Sequence, residues 1–146
     1  MKIVIGSDHA GFELKQNVVK WLIAEAHDVT DVGADSEDSV DYPDFGYKAA
    51  REVAHGEYDR GVLICGSGIG MSIVANKVAG IRAALCITPE VAELSRSHNN
   101  ANILILAGRM TDKDTACEIV SRWLHTDFEG GRHARRIDKI HNLTGI

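Results

Sequence analysis

Short apolar runs alternate with segments of helical periodicity along the whole chain, and this alternation constrains the fold most. The stripe of Leu14, Val18 and Leu22, for example, follows one apolar run and precedes the next. Strands joined by helical crossovers lie parallel, with helices on both faces of the sheet. We therefore expect an α/β protein: a three-layer Rossmann-like sandwich with a five-stranded parallel sheet and a C-terminal helical arm. The predicted strands are residues 2–6, 28–32, 62–65, 82–87 and 103–107.

Turn and cap residues place helices between these strands. An acidic loop over residues 33–44 contains a Tyr42-Pro43 stop, and Pro89 opens a helix at its favoured first-turn position. Thr111 is expected to cap the following helix, and Gly130-Gly131 to precede a last, basic one. Helices are predicted at residues 47–55, 71–78, 111–125 and 132–143, besides those that contain Leu14 and follow Pro89.

Composition bounds the class of protein. The 146 residues carry a net charge of −5, so nucleic acid is not an expected partner. Three cysteines form no CxxC motif, which favours a reducing compartment such as the cytoplasm. We expect no signal peptide and no membrane contact, because Met1-Lys2 lead directly into a strand and no apolar run is long enough to span. We expect one domain over residues 1–146, with residues 130–146 as its arm.

A thiol followed by alternating glycines is the most informative motif, Cys65-Gly66-Ser67-Gly68-Ile69-Gly70. It follows an apolar strand and precedes a helix. Alternating glycines let successive backbone N–H groups turn toward one point, where the helix N-terminus adds positive potential. A thiol beside such an anion cradle suits chemistry in which a proton leaves carbon and charge builds on oxygen. The plain alternative is a strand-to-helix turn with a buried cysteine.

Two further polar clusters adjoin predicted strands. Asp8 and His9 follow the first strand, where Asp8 is a good helix cap and a neutral His9 can donate to a phosphate or hydroxyl. His98 and Asn99 end a helix just before the fifth strand. A C-terminal cap accounts for Asn99 or Asn100, whereas His98 can serve as a general acid or base. The other five histidines resemble scattered surface positions.

Three arginines are candidates for binding a phosphate. Arg132 and Arg136 lie four residues apart and share a helix face, and Arg109 follows the fifth strand. Three guanidinium groups can clamp a phosphate through forked hydrogen bonds. A solvated basic face is the alternative interpretation for the helix. No spacing of His, Cys and Asp resembles a metal site, so we expect no metal.

Two rival motifs fail at residue 71. A Cys-x5-Arg phosphatase loop needs arginine there, and a G-x-G-x-x-G dinucleotide fingerprint needs glycine, but the residue is Met71. The run from Gly6 to Gly11 lacks the middle glycine of that fingerprint. Nucleotide binding therefore stays only as a weaker alternative.

With these residues in hand, the chain resembles the type B ribose-5-phosphate isomerases. They belong to a sugar-phosphate isomerase family that also contains galactose-6-phosphate and allose-6-phosphate isomerases. The resemblance covers nearly the whole chain, in order. Its motifs are Gly6-Ser7-Asp8-His9-Ala10-Gly11, Asp41-Tyr42-Pro43, Cys65 to Gly70, Asn76-Lys77, Gly80-Ile81-Arg82-Ala83, Ser97-His98-Asn99 and Gly130-Gly131-Arg132-His133.

The resemblance implies interconversion of ribose 5-phosphate and ribulose 5-phosphate, a step of the pentose phosphate pathway, through an enediolate and without metal or redox cofactor. It assigns Cys65 as the base that moves a proton between C1 and C2, His98 to opening the sugar ring, and Ser67 as a proton relay. Relatives without this cysteine use a glutamate at the position of Met71, so the cysteine mechanism is the consistent one here.

The resemblance also implies the binding residues. The oxyanion would be held by backbone N–H groups, and Asp8 and Asn99 would bind sugar hydroxyls or the ring oxygen. Tyr42 would be a further substrate-binding residue. The phosphate would contact His9, Arg109, Arg132 and Arg136. The N–H groups belong to Gly66, Ser67, Gly68, Ile69, Gly70 and Met71. Family members are homodimers or tetramers whose sites are shared between subunits.

The alternatives concern substrate and class. Allose 6-phosphate and galactose 6-phosphate differ from the pentose phosphate by one hydroxymethylene unit, and pocket depth decides between them. A non-catalytic sugar-phosphate-binding protein would need the arginines and glycines, but not both Cys65 and His98.

Overall fold

The structure, a computed structural model, describes residues 1–146 and contains one five-stranded parallel sheet with strand order β2-β1-β3-β5-β4. This confirms the predicted α/β class. Strand order reverses between β1 and β3, because the first crossover runs outward from β1 to β2 and the next returns past it. The strands are β1 Lys2–Ser7, β2 Asp28–Asp31, β3 Arg60–Cys65, β4 Ala83–Leu85 and β5 Ile103–Ala107.

Six α-helices surround the sheet, and a short 3₁₀ turn at His9–Gly11 precedes the first of them. None of these helices is both long enough and apolar enough to cross a membrane. The helices are α1 Phe12–Ala24, α2 Tyr42–Ala54, α3 Ile69–Ala75, α4 Pro89–Ser97, α5 Lys113–Leu124 and α6 Arg132–Thr144.

The two faces of the sheet form two separate cores, which confirms the three-layer arrangement. Residues of β3 alternate between them: Val62 and Ile64 pack with α1 and α5, whereas Leu63 and Cys65 pack with α2 and α3. Trp123 of α5 is fully buried in the first core. Since a buried Leu or Ile side chain contributes about 1.5–3 kcal/mol, both apolar faces hold the strand ends in place.

Several element boundaries differ from the sequence-based expectation by a few residues, and those at the starts of α2, α3 and α5 bear on the site. Helix α2 begins at Tyr42 rather than at residue 47, because Pro43 occupies its first turn, where a missing N–H costs nothing. Helix α3 begins at Ile69, two residues early. Asp112 rather than Thr111 caps α5, and its Oδ1 accepts from the N–H groups of residues 114 and 115 at 3.0 Å each. The Tyr42-Pro43 pair therefore starts a helix instead of ending the loop.

A buried ion pair secures the loop that joins β2 to α2. Lys15 is fully buried, and its Nζ lies 2.6 and 2.7 Å from the two carboxylate oxygens of Asp31. The same Nζ donates to the carbonyl oxygen of Ala34 at 2.6 Å. The start of this loop is thus tied to α1.

Helix α6 is the expected C-terminal arm and exposes most of its surface. Of its 13 residues only His133 and Ile137 are buried. Ile140 and Leu143 are 48% and 76% exposed. This helix leaves an apolar and basic surface unpartnered within the chain.

Candidate active site

The carboxyl ends of β1, β3 and β5 border an open cleft of about 410 Å³. The cleft lies beside the reversal of strand order, where α/β sheets bind their ligands. Sequence analysis had missed two of the lining residues, Ala10 and Met110. Among the residues singled out from the sequence, those that line it are Asp8, His9, Tyr42, Cys65, Gly66, Ser67, Gly70 and Arg109.

Cys65 closes β3 at the floor of this cleft and is 4% exposed. Its carbonyl oxygen accepts from Gly108 N–H at 2.8 Å, and that of Gly66 accepts from Arg109 N–H at 3.0 Å. These bonds continue the pairing of β3 with β5 beyond the strands themselves. The thiol therefore sits on a rigid element, which is what a positioned base requires.

Gly68 makes the tight turn from Cys65 into α3. Its φ is +76°, a left-handed conformation that L side chains rarely adopt. A Cβ there would lie 2.4 Å from Leu85 Cδ1. Ser67 Oγ accepts from the Ile69 N–H at 3.3 Å, so this hydroxyl caps the start of the helix. The turn leaves the remaining N–H groups at the start of α3 without intrahelical acceptors.

Two side chains border the glycine loop. A Cβ on Gly70 would lie 2.7 Å from the ring of Tyr42, so the aromatic ring packs directly on that glycine. A Cβ on Gly66 would lie 3.4 Å from Arg109 Nη1, which places the guanidinium over the loop. A cation and an aromatic ring thus flank the glycine loop that follows Cys65.

Asp8 and His9 border the cleft from the end of β1. Asp8 is buried, and its Oδ1 accepts from Gly11 N–H at 2.9 Å, which confirms its role as a cap. His9 Nδ1 accepts from Val40 N–H at 3.2 Å. A neutral imidazole whose Nδ1 accepts must carry its proton on Nε2. His9 is therefore a donor toward a ligand in the cleft.

The side chains of Ile69 and Met71 do not contribute to the cleft. Ile69 is 57% exposed, and Met71 is fully buried between α3 and α2. A Cβ on Gly46 would lie 2.7 Å from Met71 Sδ, so the Met71 side chain fills the core between the sheet, α2 and α3. Only the backbone N–H groups of the two residues are candidates for anion binding.

Outside the glycine loop, four further candidate residues do not line this cleft within one chain. His98 and Asn99 end α4, which brings the chain to the amino end of β5. Cys65 pairs with Ala107 at the carboxyl end of β5, whereas Ile103 begins that strand. At 3.3 Å per residue, the two ends of β5 are roughly 13 Å apart. Arg132 and Arg136 are exposed on α6. One chain thus carries two groups of candidate residues, one at the carboxyl ends of its strands and the other toward their amino ends.

His98 has two neighbours that sequence analysis missed. Its ring stacks on His133 with a centroid separation of 4.3 Å and an interplanar angle of 5°. Glu129 Oε2 lies 4.0 Å from His98 Nε2 and 3.5 Å from His133 Nε2. The expectation that His133 is a surface histidine is wrong, because it is buried at the start of α6. The Gly130-Gly131 turn was the available signal, since it folds α6 back toward α4.

Burial lowers the pKa of His133 below its ordinary value of 6.5, and the nearby charges of His98 and Arg132 lower it further. Glu129 opposes this shift. Burial likewise raises the pKa of the Cys86 thiol to about 11, although a hydrogen bond with Ser95 opposes that shift. Cys86 is therefore an inert core thiol at neutral pH, unlike a reactive thiolate.

A doubly wound parallel sheet with a thiol, a glycine loop and an arginine at its switch point defines a Rossmann-like domain built to act on a small anionic ligand. The model of the family described as Ribose/Galactose Isomerase matches residues 3–140, and the chain belongs to this family.

Individual relatives agree with this assignment. The chain is 46% identical to ribose-5-phosphate isomerase B of Escherichia coli strain K12, over 95% of this chain and 93% of that protein. The structure of ribose-5-phosphate isomerase B from Clostridium thermocellum matches with a TM-score of 0.98 at 51% identity, over 99% and 98% of the two chains. The enzyme from Mycoplasma genitalium, solved with bound ribulose-5-phosphate, matches with a TM-score of 0.94 at 41% identity, over 99% and 96%.

Proposed function

We propose that this protein is a ribose-5-phosphate isomerase, which interconverts ribose 5-phosphate and ribulose 5-phosphate in the pentose phosphate pathway. The observation that carries the proposal is the position of Cys65, buried at the end of β3 and followed by a loop of backbone donors. The relative solved with bound ribulose-5-phosphate supports the substrate. The unpaired state of all three cysteines supports a reducing cytoplasm.

Cys65 is the base of the proposed reaction. In the open-chain aldose its thiolate removes the proton from C2, and the electron pair moves into a C1–C2 double bond. The former aldehyde oxygen then carries negative charge as an enediolate. A proton passes from O2 to O1, with the Ser67 hydroxyl as relay, and the thiol returns its proton to C1. Atoms and electrons balance, so the step needs no oxidant or reductant.

The glycine loop stabilises the charge that develops on oxygen. The first N–H groups of α3 lack intrahelical acceptors, and the loop that leads into this helix borders the cleft at Gly66, Ser67 and Gly70. Donors that are already oriented stabilise a developing oxyanion without reorganising during the reaction. Asp8 and Tyr42 border the same space and contact sugar hydroxyls.

Arg109 and the Nε2–H of His9 bind the phosphate from this side of the site. Both line the cleft, and Arg109 is fixed by its backbone bond to Gly66. A guanidinium binds phosphate through two parallel hydrogen bonds, which orients the sugar as well as holding it. These contacts select phosphorylated over free sugars.

A second copy of the chain completes the site in this proposal. His98, Asn99, Arg132 and Arg136 lie away from the cleft of their own chain, and α6 exposes Ile140 and Leu143 beside those arginines. A dimer that covers this apolar surface would bring His98 and the arginines of one copy to the Cys65 cleft of the other. His98 would then transfer the proton that opens the furanose ring.

The direct test of the reaction follows the sugar by NMR. Purified protein is incubated with ribose 5-phosphate in D2O with a chelator present. Appearance of ribulose 5-phosphate with deuterium at C1 is the expected result. If neither product nor exchange appears, allose 6-phosphate and galactose 6-phosphate are the next substrates. Binding without turnover of any of them would contradict the proposal and favour a sugar-phosphate-binding protein.

Mixed dimers test the sharing of the site. Cys65→Ala and His98→Ala proteins, each weakly active alone, are unfolded together and refolded. If the site is shared, a mixed dimer contains one site with both substitutions and one intact site, so activity returns. If all residues act within one chain, every site keeps one substitution and activity stays low.

A further inference from the structure

The loop between β2 and α2 reaches the candidate site through a single backbone group. Val40 N–H donates to His9 Nδ1 at 3.2 Å, although the two residues are 31 positions apart in sequence. Val40 itself is half-buried and does not line the cleft, whereas His9 does. Residues 35–39 of the same loop are exposed, and their hydrogen bonds stay within the loop. The bond to His9 is therefore what connects this exposed segment to the cleft.

Both ends of this segment are fixed in place. At its start, the backbone of Ala34 pairs with the end of β1, where its N–H donates to Ser7 O at 2.7 Å. The buried ammonium of Lys15 adds a bond to Ala34 O at 2.6 Å. At its other end the chain enters α2 within two residues of Val40. The Val40 amide is thus held against His9 by anchored backbone, which is what a positioning group requires.

An N–H donor at one ring nitrogen decides where a neutral imidazole carries its proton. The Val40 N–H needs an acceptor at Nδ1, so the proton of His9 lies on Nε2 and is available to a ligand in the cleft. The net contribution of one hydrogen bond changes the ratio of two tautomers roughly threefold to tenfold. Phosphate oxygens accept hydrogen bonds, so the opposite tautomer of His9 would face them with a lone pair instead of a donor.

We propose that the backbone N–H of Val40 is a positioning group for phosphate binding, because it holds His9 as the tautomer whose Nε2–H donates to the phosphate. Binding of a phosphorylated sugar and docking of the loop onto His9 then stabilise one another, since coupling between two sites is reciprocal. The Val40 side chain has no part in this role, so any residue with an N–H serves at position 40 and proline does not. The tautomer is independent of the proposed function, whereas its effect on the sugar phosphate rests on that function.

NMR of the ¹⁵N-labelled protein tests the tautomer without reference to activity. At about pH 8, where an ordinary imidazole is neutral, His9 Nδ1 should have the chemical shift of an unprotonated nitrogen. A scalar coupling across the hydrogen bond should connect it to the Val40 amide. His55, which is exposed, gives the averaged shifts of a free imidazole. Val40→Pro should move the His9 shifts toward those averaged values, and Val40→Ala should keep the wild-type spectrum.

Inorganic phosphate tests the coupling to the ligand. Added to the wild-type protein, it should shift the His9 Nε2 resonance and slow hydrogen exchange of the Val40 amide by roughly threefold to tenfold. The Asp38 amide, which donates to Ser36 Oγ within the loop at 3.1 Å, should exchange at an unchanged rate. A His9 spectrum or a Val40 exchange rate that phosphate leaves unchanged would overturn the coupling. A proton on His9 Nδ1, or averaged shifts in the wild type, would overturn the whole proposal even if Val40→Pro fails to fold.

Steady-state kinetics test the role of Val40 in the reaction. Val40→Pro should raise KM for ribose 5-phosphate roughly threefold to tenfold and leave kcat unchanged, because His9 contacts the phosphate rather than the reacting carbons. Glu37→Pro, in the exposed part of the loop, controls for the proline itself. In a His9→Gln background, whose amide donor has no tautomers, Val40→Pro should change KM no further.

An unchanged KM in Val40→Pro, a fall in its kcat, or an equal rise of KM in the His9→Gln background would overturn this role of Val40. A protein without isomerase activity contradicts the proposed function, while the NMR spectra still decide the tautomer and its coupling to phosphate.

Discussion

The backbone N–H of Arg109 donates to the carbonyl oxygen of Gly66 at 3.0 Å, so the residue that follows β5 is tied to the first glycine after Cys65. The guanidinium of the same arginine lies over that glycine. The candidate base and the candidate phosphate ligand are therefore fixed to one another through two adjacent strands. A site built on strand ends in this way holds its geometry better than one built on loops alone.

Replacement of Arg109 by glutamine should raise KM for ribose 5-phosphate by about tenfold to a hundredfold, because hydrogen bonds to charged groups contribute about 1.5–3 kcal/mol. Steady-state kinetics with both pentose phosphates measure this change. Arg135→Gln is the control, since it removes an exposed arginine of α6 that lies outside the cleft. A KM unchanged in Arg109→Gln would remove this residue from the phosphate site.

Replacement of Cys65 by alanine should lower turnover by about a hundredfold to ten-thousandfold, the range expected when a general base is removed. Binding of ribose 5-phosphate, measured by calorimetry, should change little because the phosphate contacts remain. Cys117→Ala controls for the loss of a thiol elsewhere, on α5. More than a few per cent of residual turnover would contradict the assignment of Cys65 as the base.

Gly68 and Gly56 form a matched pair for measuring what the glycine turn contributes to stability and to turnover. Both have φ of +76°, but a Cβ on Gly56 meets nothing within 4 Å, whereas one on Gly68 lies 2.4 Å from Leu85 Cδ1. Gly56→Ala should cost about 1–2 kcal/mol of unfolding free energy, the strain of the left-handed backbone alone. Gly68→Ala should cost about 1–3 kcal/mol more, because the methyl group overpacks the core.

Urea denaturation gives both unfolding free energies, and kinetics give the activities. Gly68→Ala should also lose turnover, since relief of the clash moves the N–H groups that face the cleft, whereas Gly56→Ala should keep it. Equal losses of unfolding free energy in the two variants would show that the Leu85 side chain moves away from the added methyl group at no cost in stability.

The unfolding free energy should fall as pH decreases through 6.5. Burial lowers the pKa of both His27 and His133 in the folded state from the ordinary value of 6.5. The unfolded chain therefore binds more protons below that pH, and the stability present above it is lost as pH falls toward the folded-state values.

Urea denaturation between about pH 7.5 and pH 5.5 measures this slope. The double variant His27→Gln/His133→Gln should show a shallower decrease than the wild type. His55→Gln, which replaces an exposed histidine, should keep the wild-type slope. An identical slope in the double variant would mean that other groups carry the pH dependence.

Local sequence patterns predicted more about the fold than about the grouping of site residues. The apolar runs identified β1, β3 and β5, which are buried over nearly their whole length. The edge strands β2 and β4 are only partly buried, and β2 was recognised as a shorter, more polar strand. Pro43 misled the prediction of α2, because proline is equally compatible with the end of a loop and the first turn of a helix. His133 was misread because helical periodicity places a residue on a face without saying what that face meets.

The sequence by itself determined the parallel α/β sheet, the glycine turn after Cys65 and the chemical groups at the strand ends, because periodicity and turn chemistry act over a few residues. Only the tertiary structure decided which of those groups meet. The direction of each crossover places Cys65 and Arg109 at the carboxyl ends of the strands and His98 near the amino end of β5. The hydrogen bond from Glu129 to Ser97, distant in sequence, brings His98 and His133 together. Such groupings arise from the path of the whole chain, which no local pattern contains.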